Sequence, residues 1–173
     1  MEIELSVSDP AWDVLEIENL MKRACGAVLD HFGISGDTVE ISMLATDDAE
    51  IATLNAEFRG RPTATNVLSW PAQDLAAEVA GGQPEQPERG FDGMIALGDI
   101  ALAYGTCAAE AAAGNMPLHD HVTHLIVHGA LHLLGYDHTR DGDAALMEGL
   151  EIEILGKLGL DDPYRDKDAA DPQ

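Results

Sequence analysis

Basic residues are scarce in this chain: 9 Lys and Arg stand against 32 Asp and Glu, which gives a formal charge of −23. Such a surface repels phosphate at long range and argues against nucleic-acid binding through a broad basic face. A solvated acidic surface explains the acidity most simply, and an acidic partner-binding surface is the alternative. The cations are unevenly placed, since Arg59 and Arg61 lie together in mid-chain and Lys22 and Arg23 lie on the first predicted helix.

Cysteine and long apolar runs are also scarce. The two cysteines, Cys25 and Cys107, lie in apolar helical patterns, which predicts buried reduced thiols instead of a disulfide or metal ligands. No apolar run reaches the length of a bilayer crossing, and the acidic start at Met1 lacks the features of a secretory signal. We therefore expect no membrane association and a cytoplasmic location.

The 173 residues suffice for one well-buried core, so a single domain over 1–161 is expected. Apolar alternation predicts strands over 2–7, 39–43, 66–70 and 94–102. Helical patterns cover 8–33, 47–58, an alanine-rich stretch that ends near 113, then 117–134 and 143–157. This order predicts an α+β (mixed α/β) fold with one small, about four-stranded mixed sheet packed with helices.

Two segments lack a periodic pattern. The stretch 72–89 contains Gly81, Gly82, Pro84 and Pro87, which predicts a long mobile loop, an insertion over 72–92 with at most one short helical turn at 75–79. The last residues, 162–173, are charged and contain proline, and they predict a disordered acidic tail.

The strongest chemical signal is the run His-Gly-Ala-Leu-His-Leu-Leu-Gly-Tyr-Asp-His, which starts at His128. His132 lies one helical turn after His128, Gly135 can end the helix, and His138 can then return toward the pair. Three neutral imidazoles leave one tetrahedral position of a zinc ion open, as in catalytic sites. The spacing predicts one zinc ion per chain, although three imidazoles also accept nickel or copper. The surrounding apolar residues place this helix at the centre of the fold.

The same spacing resembles the metzincin protease signature, His-Glu-x-x-His-x-x-Gly-x-x-His, at every position but one. Gly129 stands where those proteases have the glutamate that takes a proton from the zinc-bound water. The sequence thus predicts a zincin-like metal helix without the peptidase's base. A metallopeptidase is therefore disfavoured.

Other polar residues near this run are candidates for supporting roles. His124 lies one further turn back, with His121 beside it, and both could support the ligands or face substrate, with a structural role as the alternative. Asp137 is a candidate carboxylate for orienting a ligand histidine. Lone histidines such as His31 and His119 are more typical of hydrogen-bonded core positions.

Four ordered segments together resemble the YbeY family of bacterial endoribonucleases and ribosomal RNA maturation factors. Beside the histidine block they are Leu54-Asn55 with Phe58-Arg59-Gly60 and Thr65 through Pro71; Leu97-Gly98-Asp99-Ile100; and Met147 through Glu151 to Pro163-Tyr164. The resemblance covers about 41–164, and the residues before it match only in their strand-helix pattern. Asn66 and Trp70 replace the family's usual Asp and Phe, the loop after Pro71 is longer, and the C-terminal tail is extra.

The resemblance implies a zinc-binding fold with His128, His132 and His138 as ligands, and a single-stranded RNA substrate. It implies a role in 3′ end maturation of small-subunit ribosomal RNA and in ribosome quality control, with the small subunit and assembly factors as partners. It also carries over Arg59 as an arginine implicated in activity. We add Arg61 as a further substrate-binding candidate, and His128 as a candidate catalytic residue as well as a ligand.

Physical chemistry gives Arg59 a role, since a guanidinium binds a phosphate through two parallel hydrogen bonds and stabilises charge that builds up on it. The alternative is an Arg59 that pairs with an acidic neighbour. Asp99 and Asn66 are weaker candidates for lining the cleft.

The sequence leaves two questions open. The nucleophile is either a zinc-bound water or a ribose 2′-hydroxyl, and no general base is identified. The rival to an enzyme is a ribosome-assembly factor whose metal only holds the fold, which the strong acidity supports.

Overall fold

The computed structural model describes residues 1–164, and a sheet and five α-helices make up most of that part of the chain. The strands are Glu2–Val7 (β1), Val39–Thr46 (β2), Val67–Pro71 (β3) and Ile95–Ala103 (β4). The helices are Ile17–His31 (α1), Asp48–Arg59 (α2), Tyr104–Ala113 (α3), Leu118–Leu133 (α4) and Asp141–Lys157 (α5). None of the helices within 1–164 has both the length and the apolar character needed to span a bilayer.

The sheet has four strands in the order β1-β2-β4-β3. The pairs β1/β2 and β2/β4 are parallel, whereas β3 runs antiparallel to β4 and forms one edge. A register shift at Ile41 lies opposite Gly98, whose φ is +135°. A side chain at Gly98 would begin 2.1 Å from the Trp70 carbonyl oxygen, so glycine is required there. The predicted fold class, with its small mixed sheet, is confirmed.

Helices cover both faces of this sheet. On one face α4 packs against β3 and β4, and it is in turn covered by α1, α3 and α5. On the other face Ile51 of α2 packs with Leu68, Ala101 and Ala103 in a smaller cluster. The central place of α4, expected from its apolar residues on several sides, matters for function because this helix carries His128 and His132.

The first predicted helix is interrupted. Asp9 caps a short 3-10 helix, Pro10–Leu15, by accepting a hydrogen bond from the backbone of Ala11. Glu16 then adopts a left-handed conformation with φ +49°, and α1 begins one residue later. The indole of Trp12 donates to the Thr46 carbonyl at 2.9 Å and ties the 3-10 turn to the end of β2. This tertiary bond explains why one continuous helix over 8–33 was a wrong prediction.

The segment between β3 and β4 contains no helix. The single helical turn allowed for at 75–79 is absent. There the carbonyls of Ala77 and Glu78 accept hydrogen bonds from the guanidinium of Arg140, at 2.8 and 3.1 Å. Leu75 is buried, which anchors the start of the segment against the rest of the domain. The mobility of 72–92 stays a prediction.

The predicted acidic tail begins inside the described part of the chain. The Tyr164 amide donates to the Asp162 carboxylate at 2.8 Å, and the Tyr164 hydroxyl donates to Glu151. The rest of the predicted tail, 165–173, lies outside the described residues. Tyr164 therefore ties the start of the predicted tail to Glu151 of α5.

Candidate metal centre

Three histidine side chains converge at the end of α4. The helix ends at Leu133, and Gly135, with φ +101°, lets the chain turn back and place His138 opposite His128 and His132. One ring nitrogen from each of the three lies within 4.8 Å of the others. The Nε2 atoms of His128 and His132 are 2.9 Å apart. The structure thus brings the three sequence candidates together.

The hydrogen-bond partners show which nitrogens could bind an ion. The Nδ1 atom of His132 faces the Tyr136 carbonyl at 2.8 Å, and the Nδ1 atom of His128 faces a Glu151 carboxylate oxygen at 2.6 Å. Carbonyls and carboxylates only accept, so each Nδ1 carries the proton and each Nε2 presents a lone pair. The two Nε2 lone pairs, 2.9 Å apart, lie close enough together to bind one cation.

A proton is a poor substitute for that cation. Burial, with the neighbouring His128 and His138, lowers the pKa of His132 to about 4. Near neutral pH His132 is therefore uncharged and can act as a ligand. The three histidines could therefore hold a metal ion, with the deepest donor, His128, almost fully buried and His138 exposed.

Glu151 lies directly behind the cluster. Its side chain is fully buried, and Oε1 accepts from His128 Nδ1 at 2.6 Å and from His124 Nε2 at 3.3 Å. Its other oxygen accepts from the Tyr164 hydroxyl at 2.5 Å. Burial alone would raise the pKa of Glu151, but the hydrogen bonds from His124 and His128 outweigh it and lower the pKa to about 2. Glu151 is thus a buried carboxylate anion that fixes the proton position on a candidate ligand.

His124 belongs to this buried layer and does not line the cleft. Burial lowers the pKa of His124, although its contact with Glu151 opposes the shift. Its ring stands edge-on to that of Tyr164, with 5.6 Å between the centroids. His124 therefore contacts the carboxylate behind the cluster and is not a member of it.

Sequence reasoning assigned no role to Glu151, although a signal was present. On α5 the residues one turn before and after it, Met147, Ile154 and Leu155, are buried and apolar. A carboxylate on such a helix face needs a hydrogen-bonding partner. Asp137, which sequence reasoning did name, instead accepts from the backbone amide of His138 at 2.7 Å and shapes the turn that delivers this histidine.

The cluster opens on a cleft of about 880 Å³. His132 and His138 line this cleft together with Arg59 and Arg61, which lie at and beyond the end of α2. Arg59 Nη2 donates to the carbonyl of Ser69, a cleft-lining residue of the edge strand β3, at 2.7 Å. Within residues 1–164 no ion pair to either arginine is present, so the alternative of pairing with an acidic neighbour is not observed there.

The remaining sequence candidates lie away from the cleft. Asn66 is buried, and its side-chain NH2 group donates to the Glu110 carboxylate at 3.0 Å. Its side-chain oxygen accepts from the backbone amide of Val67. His121 contacts the same Glu110 oxygen at 3.0 Å. Asp99 is exposed on β4 opposite Trp70 and is not among the residues that line the cleft. These residues support or flank β3.

Gly129 faces the sheet and not the cluster. A Cβ at this position would lie 3.1 Å from Ser69 Oγ and 3.3 Å from Ile100 Cδ1. Both distances are shorter than ordinary contacts, so even alanine would displace the sheet slightly. The glycine allows α4 to approach β3 and β4 closely. This is the physical reason why the protease's glutamate has no counterpart in this chain.

Comparison with known proteins agrees with these motifs. The family model described as Endoribonuclease YbeY matches residues 2–159. The chain is 58% identical over 164 residues to the Endoribonuclease YbeY of Ruegeria pomeroyi, covering 95% of this chain and 98% of that protein. It is 56% identical over 162 residues to the Endoribonuclease YbeY of Dinoroseobacter shibae, covering 94% and 90%.

One solved structure shares the fold. The solution structure of TM1509 from Thermotoga maritima has a TM-score of 0.53 and 21% identity, and covers 95% of this chain and 99% of that one. The family match also begins at residue 2 and so includes the N-terminal strand and helix, where sequence motifs were weak. With nearly the whole chain matched, this protein belongs to the Endoribonuclease YbeY family.

Proposed function

We propose that this chain is a metal-dependent endoribonuclease that cleaves single-stranded RNA. One observation carries the proposal: Arg59 and Arg61 line the same cleft as His132 and His138 of the three-histidine cluster. A relative that is 58% identical to this chain is named an endoribonuclease. A candidate metal site that shares a cleft with two cations suits an anionic substrate such as a phosphodiester.

The arginines provide the contacts to phosphate. One N–H of Arg59 is held by the Ser69 carbonyl, which fixes the guanidinium while its remaining N–H groups can reach substrate. Arg61, two residues further along the chain, lines the same cleft. We infer that Arg59 binds the scissile phosphate and stabilises the charge that develops on it, and that Arg61 binds a neighbouring phosphate.

The histidines hold the metal, for which zinc, one ion per chain, is our proposal. When bound there, a zinc ion would supply Lewis acidity toward a phosphoryl oxygen or toward water. The chain's own contribution is to keep the ligand nitrogens unprotonated and oriented. The Tyr136 carbonyl does this for His132, and Glu151 does it for His128.

Peptide hydrolysis by the protease mechanism is not supported, because Gly129 has no acid-base group and its Cα faces the sheet. The chemical end of the RNA product identifies the nucleophile. A 2′,3′-cyclic phosphate indicates attack by the ribose 2′-hydroxyl, whereas a linear phosphate formed without a cyclic intermediate indicates attack by water.

The biological setting is a further part of the proposal. We propose a cytoplasmic enzyme that acts on ribosomal RNA of the small subunit, in 3′ end maturation and in ribosome quality control. The small subunit and its assembly factors would be the partners. The family membership supports this setting. With a charge of −23, the protein needs such a partner or a local contact to hold RNA against general repulsion.

Arg59→Glu tests the proposal, with Arg23→Glu as the matched control. Arg23 is exposed on α1 and does not line the cleft, and both substitutions change the net charge equally. On a single-stranded ribosomal RNA fragment, Arg59→Glu should abolish cleavage while the metal content is retained, and Arg23→Glu should cleave normally. Equal activity of the two variants would remove Arg59 from the reaction.

His132→Ala separates catalysis from a purely structural metal. A folded variant that binds RNA without cleaving it supports the enzyme. The non-catalytic assembly factor would be favoured by two results together: the variant unfolds, and the wild-type protein shows no RNA cleavage.

A further inference from the structure

An exposed aromatic side chain directly precedes the cleft-lining Arg59 in α2. Phe58, in the last turn of α2, has 62% of its surface exposed. Its ring stands edge-on to that of Trp70, with the centroids 5.6 Å apart and the planes at 69°. Trp70 is half-buried and packs on the small cluster beneath α2. The tryptophan therefore holds the phenylalanine from one side and leaves the rest of its surface to solvent.

The position of this pair links it to the arginines. Phe58 directly precedes Arg59, and Trp70 lies between Ser69 and Pro71, which both line the cleft. The other exposed large apolar side chains within 1–164, Val7, Val14, Val79, Phe91 and Ile152, are neither cleft-lining residues nor direct neighbours of Arg59. Phe58 is thus an exposed aromatic ring one residue before Arg59, and it contacts the neighbour of Ser69, to which Arg59 donates.

The charge of the protein explains why such a ring would be useful. A chain with 9 basic and 32 acidic residues cannot hold RNA by general electrostatic attraction. Stacking of a base on an aromatic ring needs no charge and is a common way to hold single strands. It also requires an unpaired, accessible base, which a duplex does not offer.

We propose that Phe58, supported by Trp70, stacks against one nucleobase of the single-stranded RNA whose phosphates contact Arg59 and Arg61. This inference rests on the proposed function and adds a base-binding subsite to it. The subsite selects for single strands because only an unstacked base can reach the ring. It places no requirement on base identity, since every base has a flat aromatic face.

Binding of a short 2′-O-methyl oligonucleotide to the full-length, metal-loaded protein tests the subsite. Phe58→Leu removes the ring, and Phe91→Leu, at a fully exposed ring in the segment before β4, is the matched control. Loss of one base stack corresponds to about 5- to 150-fold weaker binding. We expect that loss for Phe58→Leu, wild-type affinity for Phe91→Leu, and rescue by Phe58→Trp.

An abasic scan shows whether the ring contacts a base. In the wild-type protein, one abasic position should weaken binding by a similar factor, and Phe58→Leu should cancel that penalty. Binding should also quench the fluorescence of Trp70, because Trp12, the other tryptophan, is fully buried. If Phe58→Leu misfolds, the abasic scan and the fluorescence measurement on the wild-type protein still test the subsite. The subsite is overturned if no abasic position weakens binding, or if binding does not quench the Trp70 fluorescence.

The outcomes separate this inference from the proposed function. If wild-type protein neither binds nor cleaves RNA, the proposed function fails. If it cleaves RNA, but Phe58→Leu binds as tightly and keeps the same abasic penalty, only the base-binding subsite is wrong. A Phe58→Leu variant that binds RNA normally and loses association with a ribosomal protein would also overturn the subsite, because the ring would then be a protein contact.

Discussion

Replacing Glu151 by glutamine should weaken metal binding without removing a ligand. Glu151 is fully buried and accepts from His128 at 2.6 Å, from His124 at 3.3 Å and from Tyr164 at 2.5 Å. Glutamine keeps the size and one acceptor oxygen, but it loses the charge, and its NH2 group cannot accept the Tyr164 hydroxyl. The substitution therefore changes the electrostatics behind His128 while the steric fit is preserved.

The expected loss of metal affinity follows from the hydrogen bond between Glu151 and His128. A hydrogen bond to a charged acceptor is worth about 1–2 kcal/mol more than one to a neutral acceptor. Only the His128 bond acts directly on a candidate ligand, so metal affinity should fall about 5- to 30-fold from this bond. Substitutions of carboxylates that orient metal-ligating histidines typically cost about 10- to 100-fold. An effect of roughly tenfold or more is expected.

Competition with a chromophoric zinc chelator measures the affinity, and Glu153→Gln is the control. Glu153 lies on the same helix, its side chain is 59% exposed, and it lies near His31 and not near the cluster. Glu153→Gln should bind zinc as the wild-type protein does. An unchanged affinity for Glu151→Gln, or an equal loss in both variants, would refute the role of Glu151 in orienting His128.

Three further outcomes are expected. Gly129→Glu should lower the free energy of unfolding by about 2 kcal/mol or more and confer no peptidase activity, measured by denaturant titration and a casein assay, because the new side chain begins against the sheet. Cys25 and Cys107 should resist alkylation at pH 8 until the protein is unfolded, since burial raises the pKa of Cys25 to about 12 and also raises that of Cys107. If 72–92 is a mobile insertion, as we propose, its amides should exchange hydrogen faster than those of β4, and equal protection would contradict this.

The histidine cluster could be predicted from sequence because the helical period fixes the geometry locally. Residues four apart share a face of α4, and a glycine shortly after them allows the third histidine to return. The four strands were predictable for a similar reason, because the alternation of apolar and polar residues identifies each strand from its own sequence. The role proposed for Arg59 followed from the family resemblance and from its pairing with Arg61 in sequence, not from any local period.

Features that depend on contacts between distant segments were not predictable. Glu151 lies 23 residues after His128 in sequence, and only the packing of α5 on α4 brings them together. Asn66 and Asp99 are polar residues in or beside strands, but the pattern does not show that one faces Glu110 and the other solvent. The break at Glu16 depends on the bond between Trp12 and β2.

The central claim is that His128, His132 and His138 hold one metal ion that RNA cleavage requires. The most direct measurement follows bound zinc and the cleavage rate on the same samples during stepwise chelation and zinc readdition, for the wild-type protein and His138→Ala. His138 is exposed, so its loss should leave the fold intact. We predict about one zinc per chain, cleavage that falls and returns with it, and a folded, metal-poor, inactive His138→Ala. A folded metal-free protein that cleaves at the full rate, or His138→Ala with full zinc and full cleavage, would contradict the account.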